Sequence, residues 1–337
     1  MMAGTLGDDD EVLQGEGQII REYFLPLTGG LVAARGLADD CAVLAPPSGM
    51  DLVMTTDSLI EGVHFFPGDT PGFKALAVNI SDLVAKGATP LAYLLTLALS
   101  APPTRSFMAR LTADLKRAQD AFGCRLIGGD TDRTPGLMTL TIAAFGYLPH
   151  GTAIGRDGAR PGDRICVAGT IGDSGLGLRL RHDPACFAAA GLDDASRHAL
   201  VRAYEEPRPS LAVGPLVRQF ASAAIDISDG LVKDLGRLTA TSGVGGRVAA
   251  RRVPVSDAAR QLIARGATSM AELLTSGEDY QVLMTVAPED ITALAVAAQA
   301  AQVAMSEIGE IVEGSGVVVL DGDGRPLQLD VTGWDHF

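Results

Sequence analysis

Apolar and polar positions alternate with two periods along the chain, and the period separates strands from helices. Residues 42–44 and 51–55 read as two short strands around the turn Ala45-Pro46-Pro47-Ser48-Gly49. Residues 18–24 have helical spacing. So do residues 72–86, where Ala75, Leu76, Val78 and Leu83 share a face and Gly87 supplies a C-cap signal. A strand is predicted over 91–99. Pro102-Pro103 breaks it, a helix follows to about Ala121, and strands are predicted over 125–127 and 138–147. The second half alternates strands (164–168, 223–227, 280–286) with helices (210–220, 230–241, 289–302), an α+β or α/β pattern. Turn clusters at Pro149-His150-Gly151 and at 158–162 place a domain boundary between them. The expected layout is a flexible tail over 1–15, one domain over 16–150 and another over 151–337.

Composition narrows the class. The 337 residues suit two domains, and 47% hydrophobic against 20% charged residues supply real cores rather than disorder. The formal charge is −14, with only four lysines, Lys74, Lys86, Lys116 and Lys233. No basic patch is available for nucleic acid or an anionic membrane. The cysteines (41, 124, 166 and 186) are far apart with no CxxC pair, as expected of reduced thiols in the cytoplasm. The acidic start, Asp8-Asp9-Asp10-Glu11, does not read as a signal peptide, and no apolar run approaches about 18 residues.

The informative chemistry is aspartate at the ends of apolar strands. Asp39-Asp40 precede Cys-Ala-Val-Leu, Asp57 follows Leu-Val-Met-Thr-Thr, and Asp82 sits in Asn79-Ile80-Ser81-Asp82. Asp130 follows Ile127-Gly128-Gly129, and Asp226 and Asp229 flank Ile227-Ser228. Any one of these is also an ordinary N-cap or turn residue. The repetition predicts several carboxylates gathered at strand ends, where hard cations such as Mg²⁺ relieve their repulsion. Several families are excluded. No G-x-x-x-x-G-K-[ST] occurs, no H-R-D/D-F-G set, and no H-E-x-x-H, the five histidines being scattered. Gly169-Thr170-Ile171-Gly172-Asp173-Ser174-Gly175 follows a predicted strand, and its N–H groups offer either a phosphate seat or a structural turn.

The motifs now carry a resemblance. Ala38-Asp39-Asp40-Cys41-Ala42-Val43-Leu44, Thr55-Thr56-Asp57, Gly62-Val63-His64-Phe65, 74–83 and Leu126-Ile127-Gly128-Gly129-Asp130-Thr131 resemble the thiamine-monophosphate kinase family. So do Arg156, Pro161-Gly162-Asp163, Gly169–Ser174, Ile225-Asp226-Ile227-Ser228-Asp229-Gly230-Leu231, Ser276-Gly277-Glu278-Asp279-Tyr280 and the final Gly333-Trp334-Asp335-His336-Phe337. The resemblance runs from about residue 15 to the C-terminus with order and spacing kept. It implies the two-domain α+β architecture of the aminoimidazole ribonucleotide synthetase (PurM-like) superfamily, an N-terminal sheet pairing with its copy in a homodimer, and an α/β C-terminal domain. It implies ATP-dependent conversion of thiamine monophosphate to thiamine diphosphate. By the same resemblance, Asp40, Thr55, Thr56, Asp57, Asp82, Asp130, Asp226 and Asp229 surround several Mg²⁺ ions. Gly129, Asp130, Arg156 and Ser228 touch ATP, and His64, Glu278 and Trp334 touch the thiamine phosphate. Two positions depart from the family pattern: Ala38 and Ser276 stand where glycine is usual. The expected transfer is direct, with no general base, because the acceptor is already a phosphate. Two rivals remain. One is another ATP-dependent enzyme of the superfamily, of which a selenophosphate-forming type would need a reactive Cys within 1–38, where none occurs. The other is a non-catalytic acidic metal-binding protein.

Overall fold

A computed structural model describes residues 11–13 and 15–335. It divides into two units, Met1–Leu83 with Pro90–Pro149, and Val84–Thr89 with His150–Phe337. Of the expected N-terminal tail, residues 1–10 and 14 lie outside the described residues, as do His336 and Phe337 of the final motif. Leu13 is buried, and its N–H donates to the Pro103 carbonyl.

In the first unit the helical spacing near residue 18 gives α1 (Glu16–Ile19), which widens into a π-helical turn (Ile20–Phe24) and then tightens into a 3₁₀ turn (Leu25–Thr28). The alternating stretch after the Pro-Pro turn becomes β1 (Met50–Ile60), six residues beyond the predicted five at its N-terminal half because Asp57 and Ser58 continue the ladder. Then come α2 (Gly72–Ala85), β2 (Thr89–Leu99), α3 (Arg105–Phe122), β3 (Arg125–Arg133) and β4 (Thr139–Pro149). Residues 42–44 form no strand. Ala42 and Leu44 pack beside Ala34, Ala92 and Ile127, while Val43 N–H donates to Ala33 O. The sheet order is β1-β4-β2-β3, with β1 antiparallel to β4 and β2 parallel to β3. The core-helix character of α2 is written in its sequence: Leu76, Ala77, Ile80 and Leu83 are completely buried. Gly72 lets it approach α3, since a Cβ there would lie 2.7 Å from the Leu111 carbonyl oxygen.

The second unit comprises β5 (Arg164–Ala168), α4 (Asp173–His182), α5 (Asp194–Glu205), α6 (Val213–Phe220), β6 (Ala221–Ile227), α7 (Leu231–Ser242) and β7 (Gly245–Ala249). It continues with α8 (Asp257–Ala264), α9 (Met270–Thr275), β8 (Gln281–Val286), α10 (Ile291–Ala300), β9 (Met305–Val312) and β10 (Gly316–Leu320). Six strands form one sheet in the order β10-β7-β9-β5-β8-β6. Its core is aliphatic, with Ile165, Val167, Ile225, Ile227, Leu235, Leu238, Leu283 and Ile308 all buried. The antiparallel registers Asp226↔Val282 and Val167↔Leu283 place the ends of β5 and β6 beside the start of β8. The turns at 169–172, 228–230 and 276–280 therefore open at one end of the sheet. No helix among the described residues is long and apolar enough to cross a membrane.

Candidate functional site

Strand alternation decides which β1 side chains can act together. Thr55 and Asp57 are two residues apart and share a face; Thr56 projects the other way. Thr55 Oγ1 donates to Asp82 Oδ2 on α2 at 2.5 Å. Asp57 is hydrogen-bonded to the same carboxyl. Withdrawal from water, then the charge of Asp82 and that hydrogen bond, push the Asp57 pKa up to about 6. Much of Asp57 stays exposed, so solvent screens part of the repulsion. On the opposite face Thr56 Oγ1 donates to Ile142 O at 3.1 Å, so its side chain does not join the Asp57–Asp82 pair. Just beyond β1, His64 Nδ1 accepts from Ile60 N–H at 3.0 Å, which leaves the ring proton of the neutral imidazole on Nε2. The buried ammonium of Lys74 supports that turn from below, donating to His64 O at 2.8 Å.

Asp40 and Asp130 both line a cavity of about 900 Å³ elsewhere in this unit. Phe24, Leu44, Leu94 and Phe145 give it apolar walls, and Asp40, Gly129 and Asp130 give it polar ones. Gly129 is required by its backbone. Its φ is 155°, and a Cβ would fall 1.8 Å from the Leu95 carbonyl oxygen across the β2–β3 ladder. The expected gathering of strand-end aspartates thus resolves into pairs. Among the described residues, no three His, Cys, Asp or Glu side chains stand close enough to hold a metal ion by themselves. Alternation along β1 and the placement of β1 and β3 at opposite edges of the sheet keep the pairs apart.

In the second unit, four of the expected residues lie on turns packed against one another, beside a fifth on β6. Asp226, buried, ends β6. The Ser228–Asp229 turn is built by a residue that sequence reasoning missed: Asp234 Oδ2 accepts from Ser228 N–H at 3.0 Å and Asp229 N–H at 2.8 Å. Burial raises the Asp234 pKa even so. Asp229 is paired with Arg237 at 2.5 Å and lies 3.7 Å from Lys233. Glu278 N–H donates to Ser228 O at 2.7 Å, and Trp334 N–H to Asp229 O at 2.9 Å. Glu278 and Tyr280 hold left-handed backbones, φ 69° and 50°, in non-glycine residues. Strain of this kind persists where surrounding contacts enforce it and clusters at functional sites. Arg156 is not on these turns; it is exposed, and its carbonyl accepts from Ser242 Oγ at 2.8 Å. The glycine-rich turn is not an open phosphate seat. Gly172 N–H is taken by both oxygens of Asp279, at 3.0 and 2.9 Å. Burial holds that carboxyl well above its usual pKa. Asp234 was readable as an acid in the first turn of α7; Lys74, a lone cation in an apolar helix, gave no signal of its partner.

Comparison with known proteins matches this arrangement along the chain. The "AIR synthase related protein, N-terminal domain" model covers residues 38–148, and the "AIR synthase related protein, C-terminal domain" model covers 160–322. Thiamine-monophosphate kinase of Salmonella typhimurium is 38% identical over 331 residues, 96% of this chain and 98% of that protein. The crystal structure of thiamine-monophosphate kinase from Stenotrophomonas maltophilia has 36% identity and a TM-score of 0.77, covering 86% of this chain and 91% of its own. A further neighbour, "AaThiL complexed with AMPPCP and TMP", has 32% identity and a TM-score of 0.74, covering 87% and 89%. With both domain models matched in order and relatives above 30% identity spanning nearly the whole sequence, this chain belongs to the thiamine-monophosphate kinase family of AIR synthase related proteins.

Proposed function

We propose that this chain transfers the γ-phosphoryl group of ATP to thiamine monophosphate, giving ADP and thiamine diphosphate. The observation that carries this reading is the match of 38% identity across 96% of the chain to a thiamine-monophosphate kinase. A neighbour solved with AMPPCP and TMP supports the substrate pair. Mg²⁺ fits the donor set, because Asp57 and Asp82 are two hard carboxylates held side by side, where withdrawal from water and then the Asp82 charge raise the Asp57 pKa. Asp57, Asp82 and Thr55 would hold it in the first unit, with Asp40 and Asp130 at the cavity and Asp226 and Asp229 in the second unit. When bound, Mg²⁺ offsets the charge of the phosphates and of the transferring group. Thr56 is left out of the side-chain set, its hydroxyl being committed to Ile142 O.

The chain's own groups bind and orient. Gly129, Asp130, Arg156 and Ser228 are assigned to ATP. His64 through Nε2–H, Glu278 and Trp334 are assigned to thiamine monophosphate. The acceptor oxygen is already anionic, so no general base is assigned and transfer is direct, without a phosphoenzyme. Residues 16–150 act as the nucleotide, Mg²⁺ and dimerisation domain and 151–337 as the second domain, in a homodimer working in the cytoplasm. The test is mass-spectrometric product analysis with ATP, Mg²⁺ and either thiamine monophosphate or thiamine. Thiamine diphosphate from the monophosphate alone is expected. Metal binding with no transfer to either acceptor would overturn the assignment in favour of a non-catalytic metal-binding protein.

A further inference from the structure

We propose that Lys233 is a positioning residue that fastens the C-terminal segment so that Trp334 is presented to the substrate; this rests on the assignment of Trp334 to thiamine monophosphate. The segment is clamped through its main chain. Trp334 N–H donates to Asp229 O at 2.9 Å, and Trp334 O accepts from Lys233 Nζ. The same ammonium lies 3.7 Å from Asp335 Oδ2. Gly333 closes the contact: a Cβ there would lie 2.5 Å from Asp229 O and 2.6 Å from Lys233 Cβ. Trp334 is 55% exposed. A large amphipathic ring that remains half in water, while its backbone is held on both sides, is being presented rather than used to fill a core.

Lys233 also sits where a cation is unfavourable. It is the third residue of α7 (Leu231–Ser242), whose N-terminal end carries the positive pole of the helix dipole. Neutralising Asp229 does not require it there, because Arg237 already pairs with Asp229 at 2.5 Å and with Asp234 at 2.8 Å. Lys233 instead spans from the Asp229 turn to the tail, with its side chain just 18% exposed. The clamp ties the position of the ring to the turn that bears Ser228 and Asp229.

Trp334 is the only tryptophan of the chain, so emission excited near 295 nm reads its position directly. The test compares Lys233→Met, Lys233→Arg and Gly333→Ala with the parent, by tryptophan anisotropy, acrylamide quenching and steady-state kinetics. Lys233→Met and Gly333→Ala are expected to lower the anisotropy and increase quenching. They are expected to raise KM for thiamine monophosphate about three- to tenfold, the range that partial loss of one cation–ring contact gives, with KM for ATP and kcat little changed. Lys233→Arg should retain most of both properties. Unchanged anisotropy in Lys233→Met and Gly333→Ala overturns the clamp. Lower anisotropy with an unchanged KM, in an enzyme where Trp334→Leu does raise KM, overturns its positioning role. If Trp334→Leu leaves KM for thiamine monophosphate unchanged, the assignment of Trp334 fails instead, and the proposal with it.

Discussion

At the scale of single residues, the Asp57–Asp82 pair couples function to stability with opposite signs. The Asp57 carboxyl has an ordinary pKa of 3.8 and one of about 6 in the folded chain. Between those values the folded state binds more protons than the unfolded state, so stability falls as pH rises through that window and the loss is complete above about 6. Below the window the penalty is absent. Asp57→Asn keeps the shape and removes one charge. In the absence of Mg²⁺ it should therefore raise the stability at neutral pH by about 1 kcal/mol, after allowance for screening of a partly exposed group, with a higher unfolding temperature, and the gain should vanish toward pH 4. The same variant should lower kcat by about a hundredfold or more, as expected when an electrostatic partner of the transition state is lost. Thermal scans against pH, paired with single-turnover assays, check both halves. Near-normal turnover at saturating Mg²⁺ would remove Asp57 from the site. A variant less stable than the parent at neutral pH would show that the ionised Asp57 carries no net penalty in the fold.

At the scale of elements, β3 is where local geometry matters most. Gly129→Ala would thrust a methyl group to 1.8 Å from the Leu95 carbonyl, at a φ of 155° that L side chains rarely adopt. The ladder cannot relax without breaking β2–β3 pairing, so a loss of about 3 kcal/mol or more is expected in urea unfolding, together with loss of activity. A loss below about 0.5 kcal/mol, within the range of ordinary surface substitutions, would mean the strand tolerates a bend there. The same stretch shows what was legible beforehand. Ile127-Gly128-Gly129-Asp130 announced a strand over 125–127 with an acid just past its end, whereas β3 runs on through Asp130 to Arg133 because the ladder with β2 continues across the glycines. That Gly129 must be glycine is a cross-strand fact, and nothing in its own segment states it. Residues 42–44 illustrate the converse: an apolar run suggested a strand, but Ala42 and Leu44 bury themselves against the sheet without ladder bonds. In the second unit α9 was readable but not read. Ser269-Met270-Ala271-Glu272 is a capping box, and the structure forms both of its hydrogen bonds. Asp279, by contrast, accepts from the Gly172 N–H, 107 residues away and brought to it by the fold. No spacing along the chain encodes such a partner.

At the scale of the whole molecule, the first unit presents an apolar surface on a sheet edge. Thr55 and Asp57 of β1 turn toward α2, which directs Leu52 and Met54 outward, where they are 36% and 65% exposed. β1 is also an edge strand of eleven residues, a length that chains usually cover or blunt. Covering this face with a second copy is the simplest solution, since closed two-fold assemblies are the commonest and require only that a patch complement itself. Net charge works against it: each copy carries −14, so two copies repel at long range. That repulsion is screened within about 8 Å at physiological ionic strength, whereas the apolar contact is not weakened by salt. Sedimentation should therefore give a dimer at micromolar concentration, and its dissociation constant should fall as salt is raised from low to physiological levels. Met54→Lys would set a like charge on each copy in a surface that must dehydrate, and should shift the equilibrium to monomer while leaving the far-ultraviolet circular dichroism unchanged. A parent chain that sediments as a monomer at both salt concentrations would refute the pairing. A dimer indifferent to Met54→Lys would place the interface on another face.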